Sequence, residues 1–120
     1  MDWLNVFKDD TLAQLHRNWR EQEPKKGTPG EIDFMPVCKL FLPWTSGTWL
    51  VTELEPDSSL AFGLCDLGVG YPELGVFCVE EIWSVRGPGG LRVEQDIHFR
   101  PTKTLSEYAT EARKHLGIRA

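Results

Sequence analysis

The residues best spaced for chemistry lie in the segment VEQDIHFRP, where Glu94, Asp96 and His98 alternate along the chain. In an extended strand alternate side chains point to the same face, so these three groups would stand side by side. Carboxylates and imidazole can hold a divalent metal or transfer protons. The spacing therefore allows a small metal- or acid/base-dependent hydrolase or nucleic-acid-processing enzyme. The exposed face of an ordinary strand explains the same alternation more simply, so we predict neither a catalytic residue nor a metal site.

Cysteine chemistry is less favoured. Cys38, Cys65 and Cys78 form no CxxC pair, have no His at zinc-finger spacing and lie inside apolar runs. We expect buried free thiols in a reducing compartment, and therefore a cytoplasmic protein. The acidic N-terminus lacks the apolar stretch of a secretion signal, and no run is long enough for a membrane span.

Two carboxylate pairs and one arginine are further candidates. Glu53 with Glu55, and Glu80 with Glu81, could do acid–base work, although acidic residues at a helix start explain the second pair. Arg86 precedes GPGG, which matches neither the phosphate-binding loop nor the dinucleotide fingerprint. We interpret this segment as a tight turn and Arg86 as a partner for a carboxylate.

Aromatic residues are frequent, with five Trp in the chain. Trp49 lies in a strand-like run and is expected in the core. Trp44 lies in the loop PWTSG, where a large ring is harder to bury, and is a candidate anchor for a partner. A stacking platform for single-stranded nucleic acid would need a basic groove beside such rings, and the surrounding residues supply none.

Composition limits the class of protein. The 120 residues are 41% hydrophobic and 26% charged, which is typical of one globular domain. Lys and Arg number 13 against 18 Asp and Glu, a net charge of −5. This balance argues against sequence-specific nucleic-acid binding, which normally needs a basic surface. No motif indicates a cofactor.

Helical patterns lie at both ends of the chain. From about residue 10 to residue 23, Leu12, Leu15 and Trp19 share one face, and Asp10 is the expected cap. The second helix is predicted from about residue 104 to residue 116. Thr104 and Glu107 have the capping-box spacing that begins it, and Gly117 is expected to end it. Its predicted buried stripe consists of Leu105, Tyr108, Ala112 and Leu116.

Between the helices, residues from about 36 to about 100 are strand-like, with turns too short for crossover helices. In the run TWLVTELE, alternation places Glu53 on one face with Trp49 and Val51. EEIWSV is expected to form a short helix, and VEQDIHFRP a half-exposed strand. We predict an α+β fold, in which an antiparallel sheet of about five strands is flanked by an N-terminal and a C-terminal helix, in a single domain spanning residues 1–120.

The order of these segments resembles a small bacterial family, domain-of-unknown-function family 2958. The shared motifs are K-x-F-x-P, W-x-x-x-E, F-G-L and E-L-G-x-F, followed by E-x-x-S-V-R-G-P-x-G-L and E-x-D-x-x-F-x-P. The resemblance extends from about Leu12 to Glu107, and the R-G-P-x-G-L part is the most specific. Cys78, Val79 and Trp83 depart from the pattern, as does a short link between the second and third strands.

The resemblance implies a genomic context and no catalytic residue set. It implies that the protein is encoded on a mobile genetic element, such as a plasmid, a phage or an integrative element. The informative polar positions within the motifs are Glu53, Glu73, Arg86, Glu94 and Asp96. An internal network between Arg86 and carboxylates explains them as well as a partner-binding face does.

We therefore expect a non-enzymatic interaction protein of a bacterial mobile genetic element that inhibits a host defence system of the restriction or CRISPR type. Its acidic residues would bind a protein or nucleoprotein complex, since opposite charges steer association. The chain itself would be a monomer or a homodimer. The expected contacts are Asp9, Asp10, Trp44, Glu53, Glu55, Glu80, Glu81 and Arg86.

Overall fold

A computed structural model describes residues 2–120 and contains one five-stranded antiparallel sheet. The strands are β1 (Cys38–Phe41), β2 (Thr48–Leu54), β3 (Leu60–Asp66), β4 (Glu73–Cys78) and β5 (Glu94–Gln95). Their order across the sheet is β4-β3-β2-β1-β5. The first four strands form the predicted meander, because short turns can join only antiparallel neighbours.

Three α-helices accompany the sheet: α1 (Asp9–Gln22), α2 (Val79–Ser84) and α3 (Leu105–His115). A 3-10 turn, Asp2–Val6, precedes α1. The N-terminal and C-terminal helices lie where the sequence predicts them, and the α+β fold is confirmed. Across residues 2–120 every helix is too short or too polar to cross a lipid bilayer.

The first and larger core fills the sheet face that is covered by the N-terminal turn, α1 and α2. Trp3, Leu15, Trp49, Val51 and Ile82 are buried in it. Trp49 is a core residue, as predicted, and its ring lies 6.5 Å from that of Phe77.

The second core lies on the opposite sheet face, under α3. Leu50 and Leu64 from the sheet pack there against Leu105, Tyr108 and Ala112 from the helix. Both faces of β2 are therefore covered near its start, by Trp49 in the first core and Leu50 in the second.

A β-bulge in β2 changes the predicted alternation. Val51 pairs with Gly63 but Glu53 pairs with Phe62, so Thr52 is an extra residue on this strand. Leu54 consequently packs in the first core with Val51. Glu53 lines a cavity beside Phe62 and Leu105, on the α3 side, so its predicted position on the face of Trp49 and Val51 is wrong.

The helix ends differ in detail from the prediction. Lys8, not Asp10, occupies the N-cap of α1, and Asp10 accepts a hydrogen bond from the neighbouring Thr11 N–H at 2.8 Å. The capping box of α3 is confirmed, since Glu107 Oε1 accepts the Thr104 N–H at 2.9 Å. Leu116 adopts the left-handed conformation that ends α3 and is exposed, so it does not belong to the buried stripe.

The last predicted strand is mostly absent. β5 contains only Glu94 and Gln95, and the chain turns immediately afterwards. Asp96 Oδ1 accepts the His98 N–H at 2.9 Å, and the Asp96 carbonyl oxygen accepts the Phe99 N–H at 3.2 Å. These are local turn bonds that an Asp side chain readily forms in place of sheet pairing.

Candidate functional site

The most prominent exposed feature is an apolar surface on the hairpin formed by β3 and β4. We define the hairpin surface as five exposed residues that line one groove of about 440 Å³: Leu67, Val69, Tyr71, Leu74 and Val76. Tyr71 is 77% exposed and Val69 67% exposed. Scattered apolar residues are normal on a protein surface, but a contiguous set on one hairpin is typical of an interaction site.

The hairpin surface follows a free sheet edge. β4 is the outermost strand and pairs only with β3, over six consecutive positions without a register shift. Its sequence, ELGVFC, contains neither Lys nor Pro and has Glu73 as its sole charged residue. Proteins usually protect an exposed edge with such residues or with a bulge. β4 has no Lys, no Pro and no bulge against β3, and Glu73 at its first position is its one charged side chain, so the rest of its edge can accept another strand.

The second feature is a cavity of about 370 Å³ between the sheet, the start of α3 and the loop that follows α1. Five apolar side chains contribute to its wall: Ile32, Phe34, Phe62, Leu74 and Leu105. Three carboxylates also line it: Glu31, Asp33 and Glu53. Glu31 and Asp33 are exposed at the rim, whereas Glu53 is only 3% exposed.

The Glu53 carboxyl is incompletely hydrogen-bonded. Its Oε1 is buried and has no hydrogen-bond partner among the described residues. Its Oε2 lies 3.2 Å from Thr52 Oγ1, which is also 3.3 Å from the Phe62 carbonyl oxygen. The Thr52 hydroxyl carries one proton and can donate to only one of these oxygens at a time. Glu53 is therefore a buried acid whose hydrogen bonding this chain leaves unsatisfied.

Burial raises the pKa of Glu53 above its ordinary value, because removal from water disfavours the charged form. The Thr52 hydrogen bond and the positive charge of Lys26 oppose this increase in pKa, while Glu31 adds to it. Lys26 is not paired with Glu53; its ammonium lies 4.1 Å from the centre of the Trp19 ring.

The start of α3, at the cavity rim, is held by Asp33. Its carboxylate accepts hydrogen bonds from the backbone N–H of Ser106, at 3.1 Å, and from the Ser106 hydroxyl. Desolvation of Asp33 opposes ionisation, but hydrogen bonds from Ser106 and Thr104 prevail and lower its pKa. Asp33 is therefore charged at neutral pH and fixes α3 against the loop that precedes β1.

The acidic residues that the sequence proposed as partner contacts are not equivalent. Asp9, Asp10, Glu80 and Glu81 are exposed in the first turns of α1 and α2. Glu55 is half-buried just after β2. Glu53 is buried, so it cannot contribute to an exposed acidic face.

Trp44 and Arg86 also differ from the expectation. Trp44 is half-buried, and its ring packs so closely on Gly87 that a Cβ at Gly87 would lie 2.3 Å from it. One side of the ring is thus packed against the RGPGG turn, and the rest of the half-buried side chain is what a partner could contact. Arg86 is exposed, and the ion pairs found within residues 2–120 do not include it. Instead Arg92 stacks on Trp83, 4.3 Å from the ring centre.

The candidate hydrolase face is not formed. Because the chain turns at Asp96, Glu94 and His98 do not share a strand face with it, and Asp96 forms an ion pair with Lys39 at 3.7 Å. Within residues 2–120, no group of three or more His, Cys, Asp or Glu side chains is arranged to hold a metal ion.

The three cysteines are free thiols, as predicted. The prediction of burial is confirmed for Cys38 but is wrong for Cys65 and Cys78, which are half-buried. Burial raises the pKa of the Cys38 and Cys65 thiols, which disfavours the reactive thiolate.

The sequence motifs indicate neither feature as a site. Leu67 ends the strand-like run LAFGLCDL, and Val69 and Tyr71 follow in the Gly-rich segment GVGYPE, where large apolar side chains between glycines are a detectable signal of an exposed patch. The cavity had no local signal, because its walls come from segments far apart in the chain.

Comparisons with known proteins give one match. None of the curated proteins matches the chain, and neither does any of the solved structures. A family model described as "Protein of unknown function (DUF2958)" matches residues 6–119. The match covers nearly the whole chain, so the protein belongs to the DUF2958 family.

Proposed function

We propose that this protein acts by binding another protein, and that the partner adds an extended strand to the free edge of β4. The observation that carries the proposal is the hairpin surface, a groove of exposed apolar side chains along an unprotected strand edge. Backbone hydrogen bonds to the edge would provide affinity, and the apolar side chains would provide specificity. The partner segment would be extended and apolar.

We further propose that the partner belongs to a bacterial host-defence complex and that binding inhibits it. Two observations support this part of the proposal: the net charge of −5 and the exposed acidic turns of α1 and α2. A complex that holds nucleic acid has a basic surface, which an acidic protein approaches faster than a neutral one does. The free thiols support a reducing, cytoplasmic location for the encounter.

The test begins with capture of partners by the tagged protein from a bacterial host lysate, followed by purification of the captured protein. Isothermal titration calorimetry then compares the wild type with Val76→Lys. Val76 is 58% exposed, so the new charge is tolerated in the free protein but lies inside the proposed contact. We expect binding to weaken by at least about tenfold.

The matched control is Ile97→Lys. Ile97 is similarly exposed but follows β5, at the opposite edge of the sheet, so its substitution should leave binding unchanged. Equal affinities for the wild type and Val76→Lys would contradict the proposal. Light scattering provides a second check. If the protein is a homodimer that Val76→Lys dissociates, a second copy of this chain occupies the edge of β4, and this result would also contradict the proposal of a different partner.

A further inference from the structure

We propose that the cavity at Glu53 is a binding site for an organic cation, an ammonium or guanidinium group carried on an apolar stem. This inference does not depend on the proposed function, because it concerns the Glu53 carboxyl and not the edge of β4, and because it is tested with small probes.

The Glu53 carboxyl needs a hydrogen-bond donor that residues 2–120 do not supply. A carboxyl oxygen buried without a donor costs free energy, and natural proteins leave few such atoms. Glu53 is 3% exposed and lines the cavity, and its Oε1 has no partner among residues 2–120. The terminal torsion of a Glu side chain is broad, so a small rotation can turn this oxygen toward a ligand. The missing component is therefore a hydrogen-bond donor.

The wall of the cavity is largely apolar. Ile32, Phe62, Leu74 and Leu105 give the cavity an apolar lining, which suits methylene groups better than a hydrated ion. A volume of about 370 Å³ lies in the range typical of small-ligand sites. The ligand should therefore have an apolar stem as well as a donor.

Further carboxylates surround the cavity. Glu31 and Asp33 line the same cavity, and Asp33 is kept ionised by its hydrogen bonds to Ser106. The ammonium group of Lys26, the nearby cation, forms a cation–π contact with the Trp19 ring and not an ion pair with Glu53. The site consequently has a negative potential that a cationic head relieves and that repels an anion. Charge-assisted hydrogen bonds to a carboxylate are also stronger than neutral ones.

The experiment titrates the whole protein with four-carbon probes and follows backbone amide shifts by NMR. The cations are n-butylammonium and n-butylguanidinium; n-butanol and n-butyrate are the neutral and anionic controls. We expect saturable shifts around the cavity for the cations only. Glu53→Gln, which keeps the side-chain shape and removes the charge, should weaken cation binding by at least about tenfold.

The matched variant is Glu55→Gln. It removes the same charge at a position two residues further along the chain, and the Glu55 side chain does not line the cavity. It should leave cation binding unchanged. Equal weakening by both substitutions, or equal binding of n-butanol, would overturn the proposal. A second measurement is independent of the variants: cation binding to the wild type should weaken as the pH falls and Glu53 takes up a proton. The other charged groups facing this carboxyl are Lys26, Glu31 and Asp33.

The same titration distinguishes the two sources of such a cation. Acetyl-lysine methylamide and acetyl-arginine methylamide carry the cation on a peptide backbone. If they bind at least as tightly as the butyl probes, the source is a side chain of a bound protein. If only the free alkyl cations bind, the source is a small amine. Both results support the cation site, and the absence of saturable binding by every cation refutes it.

Discussion

At the scale of single residues, Glu53 is a buried acid with one carboxyl oxygen that has no hydrogen-bond partner among residues 2–120. The other oxygen, Oε2, lies within hydrogen-bond distance of the Thr52 hydroxyl, but this hydroxyl can donate instead to the Phe62 carbonyl oxygen. A neutral Glu53 would resolve this conflict, since its own proton could go to Thr52 Oγ1 while Thr52 donates to Phe62. Stability should therefore depend on the protonation of this one group.

The prediction concerns Glu53→Gln and pH. The pKa of Glu53 is raised in the folded state above 4.5, its value in the unfolded chain. The neutral acid therefore stabilises the fold fully at a pH below 4.5, and this stabilisation is lost as the pH rises through the pKa of the folded state. In urea unfolding between pH 4 and 8, the free energy of unfolding of the wild type should fall relative to that of Glu53→Gln. The expected difference is about 1–3 kcal/mol, the cost of an unsatisfied buried group.

Glu55→Gln serves as the control, and its pH profile should parallel that of the wild type. If the profile of Glu53→Gln also parallels the wild type, Glu53 does not titrate differently in the folded and unfolded states. The interpretation of Glu53 as an unsatisfied buried acid would then be wrong.

At the scale of elements, the bulge in β2 decides where Glu53 lies. An extra residue interrupts the ladder and leaves a carbonyl group without its strand partner. Asn18, on the buried face of α1, donates its Nδ2 hydrogen to the Thr52 carbonyl oxygen at 3.0 Å. Helix α1 thereby stabilises the irregular strand that presents Glu53 to the cavity.

Asn18→Ala should consequently destabilise the protein by about 1–3 kcal/mol, because a buried carbonyl loses its donor. The loss should appear although Ala favours a helix more than Asn does. Chemical denaturation measures it. Arg17→Ala, on the exposed side of the same helix, should change stability by less than about 0.5 kcal/mol. Equal effects of the two substitutions would mean that the bulge does not need this hydrogen bond.

At the scale of the whole molecule, the exposed charge and the exposed apolar surface belong to different residues. The acidic first turns belong to α1 and to α2, which directly follows β4, while the hairpin surface is formed by apolar residues of the β3–β4 hairpin. Long-range charge accelerates association, whereas desolvated apolar contacts mainly determine dissociation. The two features therefore make separable contributions to binding.

The corresponding prediction uses a variant in which Asp9 and Asp10 become Asn and Glu80 and Glu81 become Gln. For the partner captured as described above, the association rate of the wild type should fall by about tenfold or more between low and high salt. The variant should associate slowly at low salt and show a smaller salt dependence, with a nearly unchanged dissociation rate. Surface plasmon resonance measures both rates. An unchanged association rate would exclude steering by these residues.

The sequence alone determined the parts of this protein that depend on neighbouring residues. Apolar spacing predicted α1, the Thr104–Glu107 pair predicted the start of α3, and short turns predicted the meander. These signals act over one or two turns of chain, so they can be read locally. The family resemblance was likewise carried by motifs in the sequence and is confirmed.

Only the tertiary structure decided what is exposed and what is buried. The bulge moved Glu53 to the α3 side, a turn at Asp96 ended the last strand, and Val76 is exposed on β4, the strand at the edge of the sheet. The cavity joins α1, β2 and α3, which lie far apart in the chain. Burial depends on which distant element covers each face, and a pattern confined to a few adjacent residues does not contain that information.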